Sequence, residues 1–281
     1  MIILTEFAPA KINLALHVLG RRSDGFHKID SIVAFADVGD ELRFEPASEF
    51  TLKVSGPFAS LLPATENNII RGAWRAVSEI AEARGKLLPS VLVTLTKNLP
   101  VAAGIGGGSA DAAAAMRGFL RLAGIEMDDE IRKAALSLGA DVPVCLMGKA
   151  CRMQGAGERI TPLEHFKPLH AVLINPLIAV QTSAVFQKLG LAVGDKHETS
   201  LDLSDAATWR NDLMPPAVAL VPVIAEVIDA LESQQHLRYA RMSGSGATCF
   251  GVFKNAKTAR AAAEKISALH AHWWVQQVTL S

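Results

Sequence analysis

Apolar and polar positions alternate along the first third of the chain, and this period predicts strands. Ile12 to Leu19 mixes Val, Leu and Ile, and Arg21-Arg22-Ser23-Asp24-Gly25 follows as a turn. Ile29 to Phe35, Glu41 to Phe44 and Thr51 to Val54 predict further strands between Gly- and Pro-containing turns. Asn67-Asn68 then caps a helix reaching about Arg84, with Ile69, Ile70, Trp74, Val77, Ile80 and Ala81 on one face and Gly85 as its stop. Val91 to Thr96 predicts a strand that leads through Lys97-Asn98-Leu99-Pro100 into a glycine cluster. An alanine-rich helix follows from Ala110 to about Ala123, and a second runs from Asp128 to Leu138 and stops at Gly139. Cys151 to Gln154 predicts a short strand before the Gly155-Ala156-Gly157 turn.

The second half has a different texture. His170 to Ile174 predicts a strand and Thr182 to Leu189 a helix, followed by a polar segment from Gly194 to Asp205. A helix lies between about Pro216 and Leu231, then a strand from Thr248 to Phe253, a helix from Ala256 to Leu269 and a last strand from Trp273 to Thr279. The expected class is α+β (mixed α/β) in two lobes, 1–157 and 158–281, with the active site in the cleft between them, where pockets often form.

Charge narrows the partners. Among 281 residues, 28 Lys plus Arg balance 28 Asp plus Glu, which removes the usual electrostatic reason to expect nucleic acid or an acidic membrane. Cys145, Cys151 and Cys249 have no metal-site or redox-pair spacing and are expected as small buried residues in a reducing compartment. The opening Met1 to Glu6 carries neither the basic region nor the cleavage site of a signal peptide. The most apolar stretch, Leu213 to Ile228, is broken by Pro215, Pro216, Pro222 and Glu226, short of the roughly 20 residues of a membrane span. A soluble, cytoplasmic protein with a small-molecule substrate is expected, as a monomer or weak homodimer.

The strongest candidate chemistry lies between a strand and a helix, in Pro100-Val101-Ala102-Ala103-Gly104-Ile105-Gly106-Gly107-Gly108-Ser109-Ala110. Four glycines let backbone N–H groups approach an anion, and the helix start favours phosphate. The loop lacks the Gly-Lys-Ser/Thr ending of a Walker A motif, and Ser109 stands where the dinucleotide fingerprint has its third glycine. A plain strand-to-helix turn is the alternative. A second cluster, Arg241-Met242-Ser243-Gly244-Ser245-Gly246-Ala247, misses the Gly-x-Ser-x-Gly elbow and reads as a tight turn whose amides face a phosphate or another chain segment, with a plain turn as the alternative.

Two charges stand among apolar neighbours: Lys11, in Pro9-Ala10-Lys11-Ile12-Asn13, and Asp141, in Gly139-Ala140-Asp141-Val142-Pro143. A lysine near an aspartate keeps the carboxylate ionised and able to take a proton from a hydroxyl attacking phosphorus. The alternatives are a solvated strand-edge charge and a turn-forming side chain. His17, His165, His170 and His197 have no ligand spacing and are assigned no chemistry.

With these segments together the chain resembles the GHMP kinases, through Pro9-Ala10-Lys11-Ile12-Asn13, the loop from Pro100 to Ser109, and Gly244-Ser245-Gly246-Ala247, in the family's order. Leu19 to His27, Gly104 to Ala112 and Leu138 to Pro143 narrow the match to the members that phosphorylate the 2-hydroxyl of a CDP-linked methylerythritol in isoprenoid precursor synthesis. The resemblance implies a two-lobed fold, ATP with Mg²⁺, Asp141 as base and Lys11 as its cationic helper. It implies nucleotide contacts from Pro100, Ala103, Gly104, Ile105, Gly106, Gly107, Gly108, Ser109 and Ala110. Substrate contacts would come from Asn13, Phe26, His27, Phe186, Gly244 and Ser245, with His27 reading cytosine and Phe26 and Phe186 as stacking partners. Phe26 stands where relatives commonly carry tyrosine, so a stack survives there without a hydroxyl; Phe186 has ordinary helix core as its alternative. By the same resemblance Asn67 and Lys97 lie near the adenine. Asp111 either meets Mg²⁺ or complements the helix dipole; the metal ligands are left unassigned.

Overall fold

The computed structural model describes residues 3–62, 65–196, 201–203 and 206–281. His197 and part of the polar segment after Gly194 lie outside the described residues, as does the opening Met1-Ile2. The chain forms two compact units, each discontinuous in sequence: Met1–Ala10, Gly39–Val101 and Gly106–Gly148 in the first, and Lys11–Val38, Ala102–Ile105 and Lys149–Ser281 in the second. Two long strands, β1 (Leu4–Arg21) and β2 (His27–Pro46), contribute residues to both.

In the first unit, β3 (Thr51–Ser55), α1 (Ile69–Ala83), β4 (Val91–Thr96), α2 (Gly107–Ala123), α3 (Asp129–Leu138) and α4 (Val142–Met147) follow in order. The end of β2 pairs antiparallel with β4, from Glu41↔Thr96 to Pro46↔Val91, and β3 lies parallel to β4. α1 starts where Asn68 accepts the Ile70 N–H, the predicted cap. α2 packs against α1 and α4.

Its alanines explain the close packing: Ala110 and Ala112 to Ala115 are all buried. At Gly118 the approach is closest, since a Cβ there would stand 2.3 Å from Cζ of Phe44, which also meets Phe119 edge-on at 5.4 Å. Gly118→Ala is therefore expected to destabilise by about 1–3 kcal/mol through overpacking, although alanine is the better helix former. A urea midpoint equal to or above that of the parent protein would contradict this contact.

The second unit continues with β5 (Cys151–Gly155), β6 (Arg159–Pro162), β7 (Leu169–Asn175), α5 (Thr182–Leu189), α6 (Met214–Leu220), α7 (Val223–Glu232), β8 (Leu237–Met242), β9 (Cys249–Phe253), α8 (Ala256–Leu269) and β10 (Trp274–Leu280). β5 lies between β2 and β6, and β10, β7, β9 and β8 form an antiparallel run. α8 covers β7, β9 and β10, and begins in a capping box between Asn255 and Thr258. The single helix expected from Pro216 to Leu231 is two, because Pro222 has no N–H to continue the first and drives Val221 out of helical geometry, at φ −137° and ψ 81°.

The mixed α+β class is as expected. All three cysteines are free and buried, with Cys249 and Cys151 made harder to ionise by burial. No helix among the described residues is long and apolar enough to cross a membrane.

Candidate active site

The first unit carries the helix end of the glycine loop. α2 begins at Gly107, three residues earlier than the alanine pattern predicts, so Gly107, Gly108 and Ser109 form its first turn. Gly106 is its N-cap at φ +64°, a left-handed conformation that favours glycine. The N–H groups of that first turn have no partner within the helix, and a Cβ at Gly108 would meet nothing within 4 Å, so the turn opens onto free space.

Asp141 stands at the N-cap of α4, half-buried, with Pro143 in the first turn, where proline's missing N–H costs nothing. Because α4 packs on α2, the Asp141 segment comes beside the loop helix: a Cβ at Gly139 would lie 4.0 Å from Oγ of Ser109. The expected phosphate turn and the expected base are thereby neighbours within one unit.

Behind the turn is a cluster that the sequence reading did not assemble. Nζ of Lys97 bonds Oδ2 of Asp40 at 2.5 Å and Oδ2 of Asp111 at 2.7 Å. Asp40 is fully buried and accepts the Asn98 and Leu99 N–H groups on its other oxygen. Burial pushes the Asp111 carboxyl up to about 8; Lys97 opposes the rise and Asp40 adds to it. Burial also works against the Lys97 ammonium, yet the two carboxylates hold its pKa above the ordinary value. The ammonium of Lys97, expected near the adenine, is thus spent on these carboxylates. Asp111 is 3% exposed, with one oxygen on Lys97. Asn67, the other adenine expectation, is exposed at the end of the short 3-10 turn Thr65–Asn67.

The second unit joins the other half of the loop to the second glycine cluster. Gly104, at φ +74°, has no room for a side chain: a Cβ would come within 2.6 Å of the Ser243 carbonyl oxygen and 2.7 Å of the Gly246 backbone. Ser243 donates from Oγ to the Gly104 carbonyl at 3.0 Å and accepts the Asn13 N–H at 3.1 Å. The late turn therefore faces another chain segment, one of the two readings left open above. Lys11 is 4% exposed, donates its N–H to the Ile105 carbonyl at 2.9 Å, and its charge acts on the Cys151 thiol. Pro100, Ala103, Ile105 and Ala110 are buried and offer chiefly backbone.

Asn13 donates from Nδ2 to Ser31 Oγ at 2.8 Å, while its buried Oδ1 has no partner among the described residues. His27 stacks on Phe186 with ring centroids 4.5 Å apart at 25°. Burial lowers the His27 pKa, helped by Arg21, so the imidazole is neutral at pH 7, and its buried Nε2 has no partner among the described residues. One face of α5 serves both places: Thr182 shares a 2.8 Å hydrogen bond with Ser245, and Phe186, four residues on, meets His27. Phe26 is 60% exposed beside this pair, and Gly244 presses on the Gly104 carbonyl, where a Cβ would stand at 2.6 Å.

The models for the GHMP kinases N terminal domain and the GHMP kinases C terminal match residues 68–149 and 198–272. Curated relatives called 4-diphosphocytidyl-2-C-methyl-D-erythritol kinase include one from Paramagnetospirillum magneticum, 46% identical with 97% of each chain covered. Another, from Cereibacter sphaeroides, is 49% identical over 97% of this chain and 98% of its own. A crystal structure of 4-(cytidine 5'-diphospho)-2C-methyl-D-erythritol kinase superposes with TM-score 0.81 at 34% identity, covering 99% of both chains. Homoserine kinase from Cytophaga hutchinsonii shares the fold, with TM-score 0.67 at 17% identity, 99% of this chain and 94% of its own covered. Matched in both its halves and along nearly its full length, the chain belongs to the GHMP kinases, in their 4-diphosphocytidyl-2-C-methyl-D-erythritol kinase branch.

Proposed function

We propose that the protein transfers the γ-phosphoryl group of ATP to the 2-hydroxyl of 4-(cytidine 5'-diphospho)-2-C-methyl-D-erythritol, with Asp141 as base assisted by Lys11. The observation that carries the mechanism is that, in the first unit, α4 packs on α2 and a Cβ at Gly139, two residues before Asp141, would lie 4.0 Å from Ser109 Oγ at the head of α2. Polyphosphate oxygens are bound by the free N–H groups of Gly107, Gly108 and Ser109 and by the helix end. Asp141 accepts the hydroxyl proton as the oxygen attacks the γ-phosphorus and ADP leaves, and the Lys11 ammonium offsets the growing negative charge.

The cytidine end falls to the second unit. The neutral His27 ring, braced by Phe186, has one donor and one acceptor nitrogen for the edge of a base, and its unpartnered Nε2 supports that use. Phe26 adds an exposed stacking face and the unpartnered Oδ1 of Asn13 an acceptor for a substrate hydroxyl. His27→Ala should raise KM for the cytidine substrate on the order of tenfold and leave KM for ATP nearly unchanged. Equal rises in both would show that His27 holds the fold rather than the base.

Mg²⁺ accompanies ATP in this reading. The residues do not build a cage for it: the described residues contain no group of three His, Cys, Asp or Glu able to hold a metal, and Asp111 is buried on Lys97. Magnesium would arrive on the triphosphate and keep much of its water, its usual habit, and no step above is assigned to it.

The deciding experiment measures ADP release from Mg-ATP with the cytidine substrate, mevalonate or homoserine. Release that requires the cytidine substrate supports the reading, whereas release with another alcohol alone overturns the substrate and leaves the family assignment intact.

A further inference from the structure

We propose that the Lys97–Asp40–Asp111 triad supports the phosphate loop from behind, and that Asp111 takes up a proton when a nucleoside polyphosphate binds the loop. The inference rests on the reading that the head of α2 binds polyphosphate, and adds to it how the buried charges respond. Position is the first ground. Nζ of Lys97 lies 3.2 Å from where a Cβ of Gly107 would be, so the triad sits directly under the first turn of α2.

Charge is the second ground. One ammonium faces two carboxylates, all at least 96% buried, so the fully ionised triad carries a net negative charge under an anion site. An incoming polyphosphate is repelled by that charge through poorly screening surroundings. Asp40 is held on both oxygens, by the Asn98 and Leu99 N–H groups on Oδ1 and by Lys97 on Oδ2. Asp111 has a single bond to Lys97, and its Oδ1 is buried with no partner among the described residues, so its ionised form is the worse satisfied. β2 brings Asp40 to Asp111 and the segment after β4 brings Lys97; these are the charged groups that act on it. On α2 itself, Arg117 and Arg121 are paired with Glu6.

The direction follows. Below the raised Asp111 pKa of about 8 the triad is neutral, and above it negative, so nucleotide affinity falls as the pH rises through that region. Binding in turn raises the Asp111 pKa, since the coupling is reciprocal. A one-unit rise would appear as about a tenfold weaker Kd at high than at low pH, with about half a proton taken up per nucleotide midway.

The test is calorimetric titration of Mg-ADP into the full chain at pH 7, 8 and 9, in two buffers of different ionisation enthalpy. Wild-type protein should take up protons between pH 8 and 9, with Kd rising about fivefold from pH 7 to 9, part of the way to the tenfold limit; Asp111→Asn should show neither. Equal proton uptake in the two proteins would overturn the proposal, because the proton would then belong to another group. No uptake by the wild type would overturn it without reference to the variant, should that fold poorly. Absence of Mg-ADP binding would instead strike the reading of the loop, and this inference with it.

Discussion

Asp141→Asn is expected to lower kcat by about 10²–10⁴-fold, while KM for ATP and the thermal midpoint stay close to those of the parent protein. In barrier terms the loss is about 2.7–5.5 kcal/mol, the cost of removing a proton acceptor that works only in the transition state. Asparagine keeps the size and polarity of the side chain, so the head of α4 keeps its packing on α2. What the fold loses is a negative charge at a helix N-terminus, worth about 0.3–1 kcal/mol. The rival role for Asp141, a turn-former between α3 and α4, predicts the reverse pattern: lower stability with turnover nearly intact. Measuring kcat and the thermal midpoint on one preparation separates the two. Lys11→Met adds a second check. If both residues serve one transition state, the double variant should be little slower than the slower single variant, because groups acting as a unit are strongly non-additive.

The elements that sequence revealed best are those whose function is local. The glycine run, the alanines behind it and the cap at Asn68 each express a requirement of a few neighbouring residues, and each marks the start of its helix to within three residues. Elements whose signal was contradictory or shared with distant partners were harder. The pattern predicts no helix between Gly139 and Cys151, yet Pro143 sits in the first turn of α4, where its missing N–H suits a beginning. β8 lies just before the second glycine cluster, and Arg238 and Arg241 interrupt its apolar alternation, although β9 pairs along it from Leu237 to Met242. The meeting of the two glycine clusters at Gly104 and Gly244 joins residues 140 positions apart, which no local period can reveal. The same holds for the triad. Asp40 lies 57 residues from Lys97, and nothing near either one predicts the other; an aspartate among the alanines of α2 was the one available hint.

Lys97→Met should be the most destabilising of these substitutions, by about 3–5 kcal/mol near pH 8, because it strands two carboxylates in the interior. Methionine fills much of the lysine volume, so packing alone accounts for little of that loss. Asp40 is fully buried and Asp111 nearly so, and without the ammonium each must either stay charged at high cost or hold a proton. The folded state of the variant then binds more protons than the unfolded chain from about pH 4 up to the pH at which the buried carboxyls finally ionise. Stability of the variant should therefore fall as pH rises from 5 to 8. Wild type should slope the same way but less, through Asp111, whose favourable contribution is complete below the unfolded carboxylate range and is lost as pH rises through about 8. Lys97 adds no slope in that window: its folded pKa is raised, so its contribution is complete below the unfolded lysine value and is lost only on passing the higher folded one. Urea midpoints of both proteins at pH 5 and pH 8 give the comparison. A deficit much larger at pH 8 than at pH 5 is the signature of uncompensated buried carboxylates, and an equal deficit at both would mean that Lys97 supports α2 by packing and not by charge.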